Sequence, residues 1–404
     1  MSQYDSTTTG QILKDVFDKQ TVRDTVYDKN PFLGMLKKQQ TGGEDYNFVV
    51  RYELPGGRSR TFTTAAAGKK PGKFVRFAVP MVKDYNITSF DRLFMSQTSK
   101  DEYAFLDAAS EEVKKLLKQL ARSLSMSLYR NIGGAVGTVS TSGATSITLA
   151  DIEEVANFSV GDVLTSAAND GSTSTDTLDA GLFTVTAVNR DTGVLTGTGS
   201  GGWSAPAAAR YLFKDGDFQS SIAGIQSWCP GTAPISTDSF YGANRYPDPT
   251  RLAGIRVTAT GDLVSEAIQK ACARLGREGA APDTVLMSHS KMRDLLIELG
   301  AKVEYESSGA EDATVGFKGV RVVTPSGSVT CYADHNCPSK RLFVTSMSAW
   351  KLLYCGSDVP ELQDDDGSIL FRESTSDGYE VRASYYANLA CLETNVTANV
   401  QLEA

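Results

Sequence analysis

Residues 51–83 read RYELPGGRSRTFTTAAAGKKPGKFVRFAVPMVK. Eight cations (Arg51, Arg58, Arg60, Lys69, Lys70, Lys73, Arg76 and Lys83) stand against the single acid Glu53, a net of +7 in a chain whose total is −8, so the other residues carry −15. Apolar residues alternate at both ends, Phe48, Val50 and Tyr52 outward and Phe77, Val79 and Met81 on the return, the period-two pattern of paired strands. Between them lie Gly, Ala, Thr and charge. Such a hairpin has almost nothing to bury at its tip. Something outside its own domain must hold it, and a nucleic acid, an acidic ligand and another copy of this chain are the alternatives.

The rest of the chain is ordinary in bulk. Its 404 residues, 41% hydrophobic and 22% charged, suggest a globular protein of two to four domains of roughly 100–200 residues each. The opening MSQYDSTTTGQILKDVFDKQ has no basic segment followed by an apolar core, so no export signal is read there, and no run approaches the roughly 18 apolar residues of a spanning helix. The expectation is a soluble protein made in a cytoplasm. Six cysteines (Cys229, Cys272, Cys331, Cys337, Cys355 and Cys391) lack the density of a disulfide scaffold and are expected to be reduced and mostly buried. Net acidity argues against general affinity for phosphates, which needs clustered Lys and Arg; the hairpin is a local exception.

Upstream, Ile12, Leu13, Val16 and Phe17 fall at helical spacing within 11–36, a pattern expected to stop at Asn30-Pro31 because a residue before proline avoids the α region. Downstream, 84–94 form a bridge rich in β-formers. Residues 99–134 then read as one long helix. Ser99 and Glu102 make an S-x-x-E capping box, Leu106, Ala109, Val113, Leu116, Leu120, Leu124 and Leu128 form a single apolar stripe, acids precede cations as the helix dipole favours, and Gly133-Gly134 are expected to end it. From Thr138 to Asp217 ten acids face three cations. Strand-like SITLA, FTVTAV and GVLTGT alternate with turns at Asn169-Asp170-Gly171 and Asp191-Thr192-Gly193, predicting a small all-β module, a barrel or sandwich, inserted into a larger fold. Beyond 218 the pattern is mixed: a helix within 262–279, a strand at DTVLMS, a helix at SKMRDLLIELG capped by Ser288 or Ser290, and further strands to the C-terminus.

Four motifs invite a chemical reading, and each has a plainer one. Gly197, Gly199 and Gly202 match G-x-G-x-x-G, but no helix follows to present its N-terminus to a phosphate, so a β-module loop is expected. Cys331, His335 and Cys337 lack a further ligand pair for a tetrahedral zinc. In LQDDDGSILFRE, placing Gly367 at the sixth position of a calcium loop puts Asp364, Asp366 and Glu373 at ligand positions but Leu362 at the first; an Asp-rich turn is the simpler reading. The chain has two histidines, His289 and His335, and neither lies near a G-x-S-x-G or comparable nucleophile motif.

The order of these parts resembles the major capsid proteins of tailed bacteriophages, whose Hong Kong 97-like fold is shared with encapsulin compartments. The resemblance is carried by GANRYPDPTRLAGIRVTATGDLVSEAIQKACARLGREGAAPDTVLMSHSKMRDLL, by CPSKRLFVTSMSAWKLLY and PELQDDDGSILFRESTSDGYEVRASYYANLAC, and by the phrases VGDVL and VTAVNRDTGVLT after the long helix. It implies an α+β chain with an N-terminal arm (1–42), an E-loop hairpin (43–83), a P-domain with its spine helix (84–137), a β-rich insertion (138–217) and an A-domain whose C-terminal strands return to the P-domain (218–404).

What the resemblance implies for function is a structural subunit without catalytic residues, cofactor or metal. Hexamers and pentamers would form an icosahedral shell around double-stranded DNA, held without sequence-specific binding, with a portal and scaffolding or decoration proteins as partners and no membrane. Assembly would occur in the host cytoplasm and the product would be the virion. Arg51, Arg58, Arg60, Lys69, Lys70, Lys73 and Arg76 would contact a neighbouring subunit. Some members cross-link an E-loop lysine to an asparagine next door; Lys69, Lys70 and Lys73 qualify by position alone, and an ion-paired or solvated surface is the plainer expectation. With 42 residues before the hairpin, no fused scaffold is expected. The competing readings are an encapsulin-like compartment, for which an acidic β insertion is unexpected, a basic-arm DNA-binding protein with Phe62 or Phe74 as wedges, and, last, an enzyme.

Overall fold

The structure is a computed structural model that describes residues 30–92, 102–300, 305–306, 319–356, 359–363, 370–373 and 377–403, with side chains in the long helix described from 114 onward. The expected helix through Ile12 and Phe17, Ser99 of the capping box, and Asp364, Asp366 and Gly367 lie outside these residues, as do the side chains of Glu102 and of the upper stripe Leu106, Ala109 and Val113. The N-terminal part comprises helix α1 (Pro31–Met35), β1 (Lys37–Gln40), and a hairpin of β2 (Asp45–Glu53) and β3 (Lys73–Pro80) with the short helix α2 (Phe62–Ala67) at its tip; β4 (Val82–Asp91) and the long helix α3 (Glu102–Ser127) follow. Then come β5 (Gly137–Ser142), β6 (Ser146–Leu149), β7 (Val163–Ala167), β8 (Leu182–Asn189), β9 (Val194–Ser200) and β10 (Tyr211–Lys214). Next are α4 (Ile225–Trp228), α5 (Pro249–Ala253), β11 (Ile255–Thr258), α6 (Val264–Arg277), β12 (Thr284–Met287) and α7 (His289–Leu299). The chain closes with β13 (Tyr305–Glu306), β14 (Gly319–Thr324), β15 (Gly327–Ala333), β16 (Arg341–Thr345), β17 (Trp350–Cys355), β18 (Glu361–Leu362), β19 (Leu370–Arg372), β20 (Gly378–Cys391) and β21 (Ala398–Gln401). These elements divide between two compact units, one built on 81–124 and 354–387, the other on 30–80, 125–353 and 388–404.

In the smaller unit β4 pairs antiparallel with β20 over its whole length, from Asp91↔Gly378 to Val82↔Ala387, and β18 and β19 pair with β20 as well. Helix α3 lies on this sheet. Leu116, Leu120 and Leu124 are buried, as are Phe90, Val381, Ala383 and Tyr385, and polar bonds fix the register of helix on strand: Asn86 donates to the Gln119 side chain at 3.1 Å and Ser123 to Asp84 at 2.8 Å. Helical and strand periodicities thus present their apolar faces to each other.

The larger unit is centred on a seven-stranded mixed sheet in the order β11-β21-β16-β12-β15-β14-β13, parallel at β11–β21 and β12–β15. Helix α6 buries Val264, Ala267, Ile268, Ala271, Cys272 and Leu275 on one stripe. Glu298 of α7 accepts from the amides of Val264 and Ser265, both at 2.9 Å, satisfying donors that the first turn of α6 cannot pair internally. In the same unit β5 to β10 close into a barrel, order β10-β5-β6-β9-β8-β7, around Val139, Ile147, Phe158, Leu164, Phe183, Leu195 and Leu212. The barrel is bolted to the adjoining chain by the part-buried Arg130–Glu154 pair at 3.0 Å, by Asn131 donating to Asp170 at 2.6 Å and by Ser339 on Asp151.

Whether an upstream helix stops at Asn30-Pro31 lies outside the described residues, but a new helix begins there: Pro31 occupies the first helical position, where its fixed φ suits the helix and its missing N–H is not needed. Two boundaries differ from expectation. Helix α3 ends at Ser127, before the glycines. Its last carbonyls meet Gly224, where a Cβ would come within 2.4 Å of the Ser127 and Leu128 oxygens, and the Ile225 amide donates to Leu128 O at 2.8 Å, so tertiary hydrogen bonds replace the next turn. Met81 lies outside both hairpin strands, between Pro80 and the start of β4.

Candidate assembly interface

The hairpin pairs from Asp45↔Pro80 to Arg51↔Phe74, then slips so that Glu53 faces Lys73 and Tyr52 is left over as a bulge. Below the bulge it is anchored. Phe77 (1% exposed) and Val79 are buried; Phe77 stacks on Phe48 at 5.4 Å and packs on Trp228 at the same distance, with Phe240 edge-on to both Phe77 and Trp228. Arg245 covers Phe240 at 4.2 Å while its charge is met by Asp238 at 2.9 Å. Polar bonds complete the anchor: the Ala78 amide donates to Tyr241 O at 3.0 Å, and the fully buried Asn388 donates to Pro80 O at 2.7 Å and to the Tyr241 hydroxyl at 3.0 Å. Burial pushes that phenol far above its ordinary range.

At the bulge the arrangement changes. The Tyr52 carbonyl, out of the ladder, accepts from the Arg251 guanidinium at 2.7 Å, and Arg251 is itself flanked by Asp248 at 3.6 Å and Glu278 at 3.9 Å. Beside it Lys73 and Glu53 pair at 2.6 Å, which holds the Glu53 carboxyl below its ordinary value and raises the Lys73 ammonium. A cleft lies between hairpin and α5, lined by Tyr52, Glu53, Lys73, Asp248, Arg251 and Glu278.

Beyond the bulge the tip has no core. Phe62 is 88% exposed, Leu54 71% and Phe74 54%. Local bonds shape it nevertheless. Gly56 N donates to Lys70 O at 3.0 Å, the Thr61 hydroxyl to Thr64 at 2.7 Å, and Gly57, at φ +118°, sits where a Cβ would lie 3.1 Å from Ala65 O, a conformation and an approach that suit glycine.

The seven cations expected at a subunit contact fall into two groups. Three are engaged within the hairpin: Arg51 lies over the Phe74 ring at 5.0 Å, Lys73 pairs with Glu53, and Arg76 makes a forked bond to Asn47 at 2.9 and 2.7 Å. The other four, Arg58, Arg60, Lys69 and Lys70, are all exposed. Their side chains make no hydrogen bond or ion pair among the described residues, although the Lys70 charge helps to lower the Glu53 carboxyl. Sequence reasoning missed Arg251, which carries no motif, and helix α2, whose six residues are too short for a periodic signal.

The remaining motifs find plain structural places. Gly197 lies on β9 where a Cβ would fall 2.2 Å from Thr184 O and 2.7 Å from the Phe183 ring, and Gly199 sits against Trp203; these glycines let aromatic rings close the barrel. Cys331 is buried on β15, and His335 and Cys337 flank Asp334, a fully buried carboxylate that accepts from the Tyr129 hydroxyl at 2.8 Å, the Asn336 amide at 2.9 Å and the Phe32 amide at 3.4 Å. Burial, reinforced by Asp334, pushes the Tyr129 phenol and the Cys337 thiol well up. Five cysteines are buried and all six are free thiols, with desolvation moving Cys229 to about 11 and Cys331 to about 12. His289 starts α7, and Ser288 caps it by accepting from Lys291 N at 3.4 Å. Leu362 lies on β18 and Glu373 just after β19. Among the described residues no group of His, Cys, Asp and Glu is placed to hold a metal, and no helix is long and apolar enough to cross a membrane.

Solved structures share this architecture. A chain of the cyanophage A-1(L) capsid asymmetric unit superposes with a TM-score of 0.58 at 11% identity, covering 97% of this chain and 98% of that one. A chain from the capsid of an empty GTA particle, computed with C5 symmetry, gives 0.50 at 9% identity with 100% of each chain covered. No curated protein sequence matches. At such identities the likeness is one of fold, and the fold is that of a capsid subunit. Residues 25–387 match the family model described as SU10 major capsid protein: the chain belongs to that family, and is a phage major capsid protein, a structural component of the virion.

Proposed function

We propose that the chain adopts the Hong Kong 97-like organisation and builds an icosahedral shell of hexamers and pentamers around packaged double-stranded DNA. In this reading 1–42 is the N-terminal arm, 43–83 the E-loop, 84–137 the P-domain, 138–217 a β-rich insertion and 218–404 the A-domain. The barrel formed by β5 to β10 supports treating the insertion as a folded module. The subunit has no active site and needs no cofactor. It assembles in the host cytoplasm with a portal and with scaffolding or decoration proteins, and holds DNA without reading its sequence, because a container for a polyanion works best when its wall is not strongly cationic.

One observation carries the assembly reading: the hairpin is anchored at its base and ends in four cations whose side chains make no hydrogen bond or ion pair among the described residues. A neighbouring copy, drawn from a chain that carries −15 outside residues 51–83, supplies the opposite charge. Each exposed ion pair contributes only about 0–1 kcal/mol, and repetition around a closed shell makes the sum large. The test is the quadruple variant Arg58→Glu, Arg60→Glu, Lys69→Glu, Lys70→Glu. Particle formation should fall sharply while the subunit keeps its fold; unchanged particle formation would reject the ion-pairing account.

A further inference from the structure

The hairpin tip carries more than charge. Phe62 is the most exposed large apolar side chain among the described residues, and Leu54 is also largely exposed. An aromatic ring left in water is unfavourable for the subunit alone, since burial of a phenylalanine is among the larger single contributions available to a contact. Phe62 is also not carried on a loose loop. It opens helix α2, whose Ala65 amide bonds to Thr61 O and whose Gly68 amide bonds to Thr64 O, both at 3.0 Å, and the helix is closed against Gly57. The tip therefore presents one aromatic ring on a formed platform, in a segment that also carries the exposed Arg58, Arg60, Lys69 and Lys70.

We infer that Phe62 is an apolar anchor that inserts into a pocket on a second copy of this chain, with the four cations meeting carboxylates around that pocket's rim. The inference rests on the hairpin being a subunit contact and assigns that contact a centre. Exposed ion pairs are weak and screened by salt, whereas a desolvated aromatic at the middle of an interface resists salt and dominates binding energy. The second copy is favoured over nucleic acid on two grounds. The +7 of residues 51–83 is complementary to the −15 of the remaining chain, and Leu54, exposed on the same tip, offers bases no stacking surface.

The experiment is plasmid complementation of a phage whose capsid gene is disrupted, using full-length Phe62→Ala, Phe62→Leu and the quadruple charge reversal. Circular dichroism and thermal melting of each subunit are run alongside, and particles bearing a photo-cross-linking residue at position 62 are irradiated. Because the ring is exposed, Phe62→Ala should leave the subunit's melting unchanged yet lower particle yield about ten-fold or more. Phe62→Leu should restore most of the yield, and the cross-link should join two copies of the chain. The loss should persist when particles are challenged at high salt. Natural yield from Phe62→Ala beside a loss in the charge reversal would overturn the anchor and leave an electrostatic contact. Natural yield from both would overturn the contact itself. A cross-link to DNA, or only within one chain, would overturn the choice of partner.

Discussion

At its base the β2–β3 hairpin buries Phe77 and Val79, with Phe77 packed on Trp228 and Phe240, whereas its tip, residues 54–72, leaves Phe62 and Leu54 in water and carries four cations whose side chains make no hydrogen bond or ion pair among the described residues. A single pair of strands thus obeys two sets of rules. The base is folded by its own chain, through aromatic packing and hydrogen bonds from Asn388 and Tyr241. The tip is shaped locally, and its helix buries none of its residues. Between them the Tyr52 bulge and the Arg251 bond mark the change. If the tip is the subunit contact proposed above, the difference separates substitutions that should unfold the subunit from those that should only isolate it.

The strongest way to break that contrast is Phe77→Ala. Removal of a fully buried ring should cost about 3–5 kcal/mol, read as a lower midpoint in denaturant; a midpoint within error of the natural protein would mean that the base is not an anchor. Arg251→Ala should have a smaller effect, about 1–2 kcal/mol for a charge-assisted hydrogen bond, seen as faster amide exchange in β2 and β3 near the bulge. Unaltered exchange there would remove Arg251 from the account. The quadruple tip reversal, by contrast, should move subunit stability by no more than about 0.5 kcal/mol in equilibrium unfolding. A large loss would show the tip to be part of its own fold.

The Glu53–Lys73 pair gives the faintest signal, because both side chains are exposed. Glu53 titrates below its ordinary 4.5 in the folded hairpin, so its contribution is present above that value and is lost as pH falls through the lowered one. Lys73 titrates above its ordinary 10.5, so its share is present below 10.5 and lost as pH rises through the raised value. Amide exchange around Glu53 and Lys73 should quicken slightly at both extremes. Lys73→Met should flatten both limbs; an unchanged profile would argue that the pair contributes nothing.

Much of this was legible in the sequence where periodicity and charge are strong. Alternation at Phe48–Tyr52 and Phe77–Val79 located the two strands of the hairpin, the Leu116–Leu128 spacing located the long helix, and the turn-rich acidic run marked the strands of the barrel. What escaped were features set by tertiary contact. The end of α3 depends on Gly224, nearly a hundred residues away. The bulge depends on Arg251, and α2 on a glycine approach within the tip. Strand β15, with its polar and glycine-flanked GSVTCYA, has no clear alternation and is recruited by its neighbours in the sheet. Composition could find a cationic hairpin, but only the fold divides its seven cations into three satisfied within the hairpin and four left over.

The most direct measurement is an electron cryo-microscopy reconstruction of the assembled particle that resolves the hairpin. The account requires residues 54–72 to lie on an adjacent subunit, with Phe62 enclosed and carboxylates of that neighbour near Arg58, Arg60, Lys69 and Lys70. A tip folded back on its own chain, or pointed into the packaged DNA with no neighbour against it, would contradict it.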